Sequence, residues 1–173
     1  MDKAGKTVGP VVSAAHLAEG AMPVLSELEF ALVVLNNGFQ RWMAHCIAAA
    51  GLPGLTPLDV LVLHATNHRG REKTLSEICM MYNIEDTHLV AYALKKLQAA
   101  SLIAAGRRGK EKTVRITEAG AAACGRYREV REALLVASVK ALKFDEGELS
   151  GIAALMRALS GQYDQATRSA ASM

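Results

Sequence analysis

Aromatic residues are scarce in this chain, at 5% of its 173 positions, and proline occurs only four times. The hydrophobic 51% is therefore carried by aliphatic side chains, with Ala and Leu dominating over the β-branched types that favour sheets. This composition predicts a mostly α protein. Cysteine is equally sparse. Cys46, Cys79 and Cys124 are odd in number and far apart, which is neither a disulfide framework nor a zinc spacing. Each falls where a helical core position is expected, so they read as buried, reduced thiols, with redox sensing by one of them as the lesser reading. No apolar run reaches the roughly 20 residues of a bilayer span, because Glu27, Glu29 and Asn36-Asn37-Gly38 interrupt the longest. The N-terminus lacks the order of a secretory signal, which makes the cytoplasm the expected compartment. A Gly-rich phosphate loop and a nucleophile elbow are both missing, so no enzyme and no cofactor are expected. His64 and His68 stand one helical turn apart, but two such residues do not make a site and no metal is expected.

What the chain does have is unevenly placed charge. The net charge is only +3, yet ten Lys or Arg residues lie between Lys95 and Arg131 against three acids, Glu111, Glu118 and Glu129. A local positive field of this kind suits a polyanion. The length fits one well-packed domain with extensions.

Residues 1–25 carry Gly, Pro and Ser without a sustained period and read as an arm. Ser26-Glu-Leu-Glu29 has the form of a capping box and predicts a helix over residues 26–50, with Leu28, Leu32, Leu35, Phe39, Trp42 and Cys46 recurring at spacings of three and four. Val33, Val34, Met43 and Ile47 widen that stripe beyond what one surface requires, which suggests a second buried surface, such as another subunit. Gly51-Leu-Pro-Gly54 stops the helix. Thr56-Pro57 opens the next one, with Leu58, Leu61, Val62 and Ala65 as its core face and the polar residues 67–73 as a closing loop.

Thr74-Leu-Ser-Glu77 repeats the capping box and predicts a short helix with Leu75, Ile78 and Cys79 inward. Asn83 suits a left-handed turn, and Asp86 suits the cap of the following helix. There Leu89, Val90, Ala93, Leu94 and Leu97 are expected inward, leaving Thr87, His88, Ala91, Tyr92 and Lys95 outward. Those outward groups can touch base edges and phosphates. A hairpin follows, with Leu102-Ile-Ala-Ala as one strand, a turn over residues 106–111, and Lys112-Thr-Val-Arg-Ile116 as the other. Val114 and Ile116 are expected inward, Thr113 and Arg115 outward. Five of the nine residues 107–115 are basic. Thr117 caps a long helix carrying Tyr127, Val130, Leu134, Ala137 and Leu142. Asp145-Glu-Gly-Glu148 opens a last helix with Leu149, Ile152, Met156 and Leu159 inward, and the terminal residues read as a tail.

The order of elements, with Leu75-Ser-Glu-Ile78, Leu94-Lys-Lys-Leu97, Leu102-Ile103 and Ile116-Thr-Glu-Ala-Gly120, resembles the MarR family of winged helix-turn-helix transcription regulators over residues 26–163. The resemblance implies a mostly α fold with a small β-hairpin, a DNA-binding lobe over about 56–117, and dimerisation helices over about 26–50 and 118–163, with residues 164–173 as a tail. It implies double-stranded DNA and a second copy of the chain as partners, with no membrane. The reading residues would be Ser76, Thr87, His88, Tyr92 and Lys95, and the wing cations Arg107, Arg108, Lys110, Lys112 and Arg115. It further implies a small lipophilic or phenolic effector, for which Trp42, Met43 and His45 are the candidate lining. The family's wing usually carries an Asp followed by an Arg that braces it, and here the tip has no Asp. Ser101 stands where the family has Gly, and Ala91 where it has Ser or Thr. The alternative use of such a fold is as a protein-interaction module. A basic wing favours phosphate.

Overall fold

A computed structural model describes residues 9–173, which form seven α-helices and one two-stranded sheet. The described residues divide into two compact units, the first ending at Arg128 and the second spanning Glu129–Met173. No helix among them is long and apolar enough to cross a membrane.

In the first unit, a short 3-10 turn (Ala15–Ala18) precedes α1 (Pro23–Ala49). The expected capping box at Ser26 does not form. Proline at the first position starts the helix a turn earlier, and the Ser26 hydroxyl, now inside the helix, donates to the Leu17 carbonyl at 2.6 Å. Residues 1–8 of the expected arm lie outside the described residues. The helix ends as expected, with Gly51 at φ +91° and Gly54 at φ +86° turning the chain.

Only the C-terminal end of α1 enters the core, through Met43, Cys46 and Ile47. Leu32, Val33, Val34, Leu35 and Phe39 are exposed in the single chain. Helix α2 (Pro57–Asn67) packs on α1 and is opened by a complete capping box: the Asp59 N–H donates to Thr56 Oγ1 and the Thr56 N–H to Asp59 Oδ2. Its buried face is Asp59, Val60, Val62, Leu63, Ala65 and Thr66, wider than the sequence pattern implies, while Leu58 and Leu61 are half-buried. The His64 ring meets the Tyr127 ring edge-on at 4.7 Å, and burial lowers its pKa.

Helix α3 (Leu75–Tyr82) and helix α4 (Thr87–Ala99) follow, then the hairpin of β1 (Ile103–Arg108) and β2 (Glu111–Ile116), and α5 (Glu118–Arg131). The strands pair from Ile103 with Ile116 to Arg108 with Glu111, so the turn is only Gly109-Lys110, shorter than the sequence suggests. Gly109 at φ +62° supplies the left-handed residue that two-residue hairpin turns require. Gly120 is needed for close packing. A Cβ there would meet the Leu102 carbonyl and lie 2.6 Å from Ile116 Cδ1. The three cysteines are buried and none is in a disulfide among the described residues, and burial pushes the Cys124 thiol up to about 11.

The second unit holds a π-helical turn (Glu132–Val136), α6 (Ala137–Ala141) and α7 (Glu146–Ala170). Asp145 caps α7 by accepting from the Glu148 N–H at 2.9 Å, as its spacing implies. Helix α7 continues through most of the expected tail. Its inward assignments need correction: Leu149 and Ile152 are exposed, while Met156 and Leu159 are only half-buried, because no residue of α7 is buried within the single chain.

Candidate nucleic-acid interface

The interface is built on α3, α4 and the hairpin. The Glu77 N–H donates to Thr74 Oγ1 and the Thr74 N–H returns to Glu77 Oε2 at 2.7 Å, closing the box that starts α3. At the other end Asn83 takes the left-handed conformation (φ 53°, ψ 46°), and the Ile84 N–H donates back to the Cys79 carbonyl. Asp86 Oδ1 then accepts from the His88 N–H and caps α4. These local bonds set the bend between the two helices.

Val90, Ala93, Leu94 and Leu97 are buried, as the 3.6-residue period requires. Thr87, His88, Tyr92 and Lys95 are exposed, Tyr92 by 71%. Leu89 departs from expectation. It is 53% exposed, because it lies at the edge of the inward arc and Val90 occupies the core beside it.

On its inner side α4 is tied to α2. Lys96 Nζ donates to Asp59 Oδ2 at 2.6 Å and to the Gly54 carbonyl at 2.8 Å, and the Asp59 side chain is only 3% exposed. Lys96 thus tethers α4.

The hairpin is fastened from two sides. The segment expected as a polar loop after α2 contributes a bridge in which Lys73 and Val114 exchange both backbone hydrogen bonds, at 3.0 and 2.8 Å. The Lys73 side chain is fully buried, its ammonium donating to the His68 and Arg71 carbonyls. Burial, and secondarily Arg71, lowers its pKa. Thr113, expected outward, is buried beneath this segment and donates to Glu72 Oε2 at 2.6 Å. Gly106 allows that approach, since a Cβ there would lie 2.7 Å from Thr113 Oγ1 and 2.8 Å from Glu72 Oε1.

The second fastening is ionic. Glu77 Oε1 receives Arg71 at 2.9 Å and Arg108 at 3.5 Å, and Arg108 also reaches Glu111 at 3.2 Å. A wing brace is therefore present, supplied by a glutamate of α3 in place of an acid in the tip. The Thr74 N–H first, and the Arg71 hydrogen bond next, hold the Glu77 carboxyl at about 2. Arg108 is raised by its hydrogen bond to Glu111 and by Glu77. Arg108 thus serves the brace, whereas Arg107, Lys110, Lys112 and Arg115 are exposed and make no ion pair among the described residues. Ser76 is exposed on the first turn of α3.

Between α4 and the hairpin runs a groove of about 610 Å³. Ala91, Leu94, Gly106 and Val114 are among its walls, with Lys95 from the helix and Lys112 from the strand. Of the candidate effector-lining residues, Met43 is buried in the core, Trp42 is half-buried and His45 is exposed. Among the described residues no cluster of three His, Cys, Asp or Glu suits a metal ion.

Residues 55–120 match the family model described as winged helix DNA-binding domain. Comparison with curated proteins gives no match. Among solved structures the chain is similar to a MarR family regulator from Neisseria meningitidis, at 18% identity and a TM-score of 0.64, covering 82% of this chain and 94% of that one. It is similar to a mutant of MarR from E. coli complexed with operator DNA, at 13% identity and a TM-score of 0.64, covering 82% and 99%. It is also similar to CouR from Rhodococcus jostii RHA1 bound to p-coumaroyl-CoA, at 10% identity and a TM-score of 0.61, covering 79% and 93%. At these identities the likeness is one of fold. The helix-turn-helix and its basic hairpin thus lie within the residues that resemble a winged helix DNA-binding domain, and the chain shares the fold of these MarR family regulators.

Proposed function

We propose that the chain is a sequence-specific transcription regulator that binds a palindromic operator as a two-fold dimer. The observation that carries this reading is the exposed outer face of α4, tethered from behind by the Lys96–Asp59 pair and flanked by a braced hairpin with four unpaired cations. Helix α4 enters the major groove, where Thr87, His88 and Tyr92 face base edges. Lys95, Arg107, Lys110, Lys112 and Arg115 neutralise backbone phosphates, and Ser76 offers a hydroxyl at the start of α3.

Two copies bring two α4 helices to major grooves about 34 Å apart, which is one turn of DNA. Support for the dimer comes from the exposed Leu32, Val33, Val34, Leu35 and Phe39 of α1 and from Leu149, Ile152 and Leu155 of α7, apolar surface that a single chain leaves in water. A small lipophilic or phenolic molecule modulates binding by favouring one spacing of the reading helices. The fold-level likeness to CouR bound to p-coumaroyl-CoA supports that part, with Trp42 and His45 as candidate contacts.

The test is selection of genomic fragments by the purified protein, followed by footprinting. A protected site with two-fold symmetry is expected. No retained DNA at low salt would leave the fold serving protein contacts instead.

A further inference from the structure

The reading face of α4 is short of the usual hydrogen-bonding readers. Between Thr87 and Lys95 there is no Arg, Asn or Gln, the side chains that with Lys make bidentate contacts to guanine and adenine. Its one cation, Lys95, comes only in the third turn of the helix. The first two turns present instead Leu89, 53% exposed, and Tyr92, 71% exposed, one turn apart and therefore neighbours on the helix surface.

Tyr92 lies on the outward face and Leu89 at the edge of the inward arc, so the single chain leaves both in water. Leucine and tyrosine in water at these positions forgo burial that the fold gives to Val90 and Leu94 next to them. The exposure is a fixed property of the helix orientation, since Lys96 on the same helix is held by Asp59 and the Gly54 carbonyl.

In the major groove the apolar group that a base edge offers is the C5-methyl of thymine. We infer that Leu89 and Tyr92 form an apolar edge that reads thymine methyl groups, so that the operator half-site is distinguished chiefly by where its thymines lie. The inference rests on the regulator reading above and adds Leu89 as a specificity-determining residue. His88 and Thr87, at the start of the same face, supply hydrogen bonds to adjacent bases.

Deoxyuridine separates the methyl from everything else, because it pairs like thymidine and lacks only that group. A selected operator is synthesised with each thymidine of one half-site replaced singly by deoxyuridine, and binding of the full chain is measured at fixed salt. At one or more positions affinity is expected to fall about three- to sixfold, the scale of one lost methyl contact. Leu89→Ala or Tyr92→Ala is expected to abolish the thymidine preference at its position, while Lys112→Ala weakens both DNAs alike. Specific binding of the selected operator with every deoxyuridine substitution changing affinity less than 1.5-fold would overturn the inference and leave the regulator reading standing. Failure to select any operator would remove both.

Discussion

The tether behind α4 gives the most quantitative test of how the interface is positioned. Asp59 Oδ2 accepts from two donors, the Thr56 N–H at 2.7 Å and Lys96 Nζ at 2.6 Å, in a side chain 3% exposed. Asp59→Ala removes the acceptor that both donors share. Breaking a fully buried ion pair costs about 3–5 kcal/mol, but Lys96 is 32% exposed and keeps the Gly54 carbonyl, so its ammonium is not stranded. Loss of a helix cap costs about 0.5–2 kcal/mol. The two losses share one side chain and do not add in full, which places the variant about 2–3 kcal/mol below the parent. On a chain of this size that lowers Tm by about 5–10 °C. Asp59→Asn keeps an acceptor for the cap and should cost about half as much. Urea unfolding supplies the free energies, and amide exchange along residues 87–99 reports whether α4 itself loosens. In a double-mutant cycle with Lys96→Ala the coupling should exceed about 1 kcal/mol. A loss below about 0.5 kcal/mol for Asp59→Ala, with α4 exchange unchanged, would refute the tether.

Three further outcomes are expected. Ser101 sits at φ 58°, a conformation that costs an L-residue about 1–2 kcal/mol, so Ser101→Gly should stabilise the chain by about 0.5–1 kcal/mol in urea after the entropic cost of glycine. Gly120→Ala drives a methyl group into the Leu102 carbonyl and Ile116, and thermal unfolding should show a loss of at least about 2 kcal/mol. The Glu77 carboxyl, held at about 2 against an ordinary 4.5, stabilises the folded brace fully above pH 4.5, and that contribution is lost as pH falls toward 2. Amide exchange at residues 107–112, corrected for intrinsic rate, should therefore accelerate only below about pH 4.5. Glu77→Gln, which retains a capping-box residue but no charge, should make exchange there insensitive to pH.

Much of the helix-turn-helix was legible in the sequence because its determinants are local. Thr74 with Glu77, Asn83 and Asp86 act on backbone groups within a few residues, and the period of Val90, Ala93, Leu94 and Leu97 needs no knowledge of what they pack on. The same reasoning failed at Ser26-Glu-Leu-Glu29, an equally good capping pattern, because Pro23 begins the helix earlier. Thr113 alternates correctly for an outward residue, yet residues 72–73 cover that side of the strand. Lys73 looks like loop charge, but two carbonyl acceptors and a strand bridge take it inside. The wing brace is not visible in the local sequence, because its acid lies outside the tip: Glu77 is 31 positions from Arg108. In α7 the period was visible, but it says nothing about whether the chain itself supplies a partner for that face.

The central claim, that unpaired cations beside an exposed reading helix bind DNA, is tested most directly by the slope of log affinity against log salt on a selected operator. Each copy of the chain offers Lys95, Arg107, Lys110, Lys112 and Arg115, so the proposed dimer would release counterions from up to ten phosphates, with a limiting slope of about −9. A slope between about −5 and −9 is expected, becoming shallower by about 2 when Lys110 or Lys112 is replaced by Ala in both protomers. A slope shallower than about −2, unmoved by those replacements, would contradict the claim.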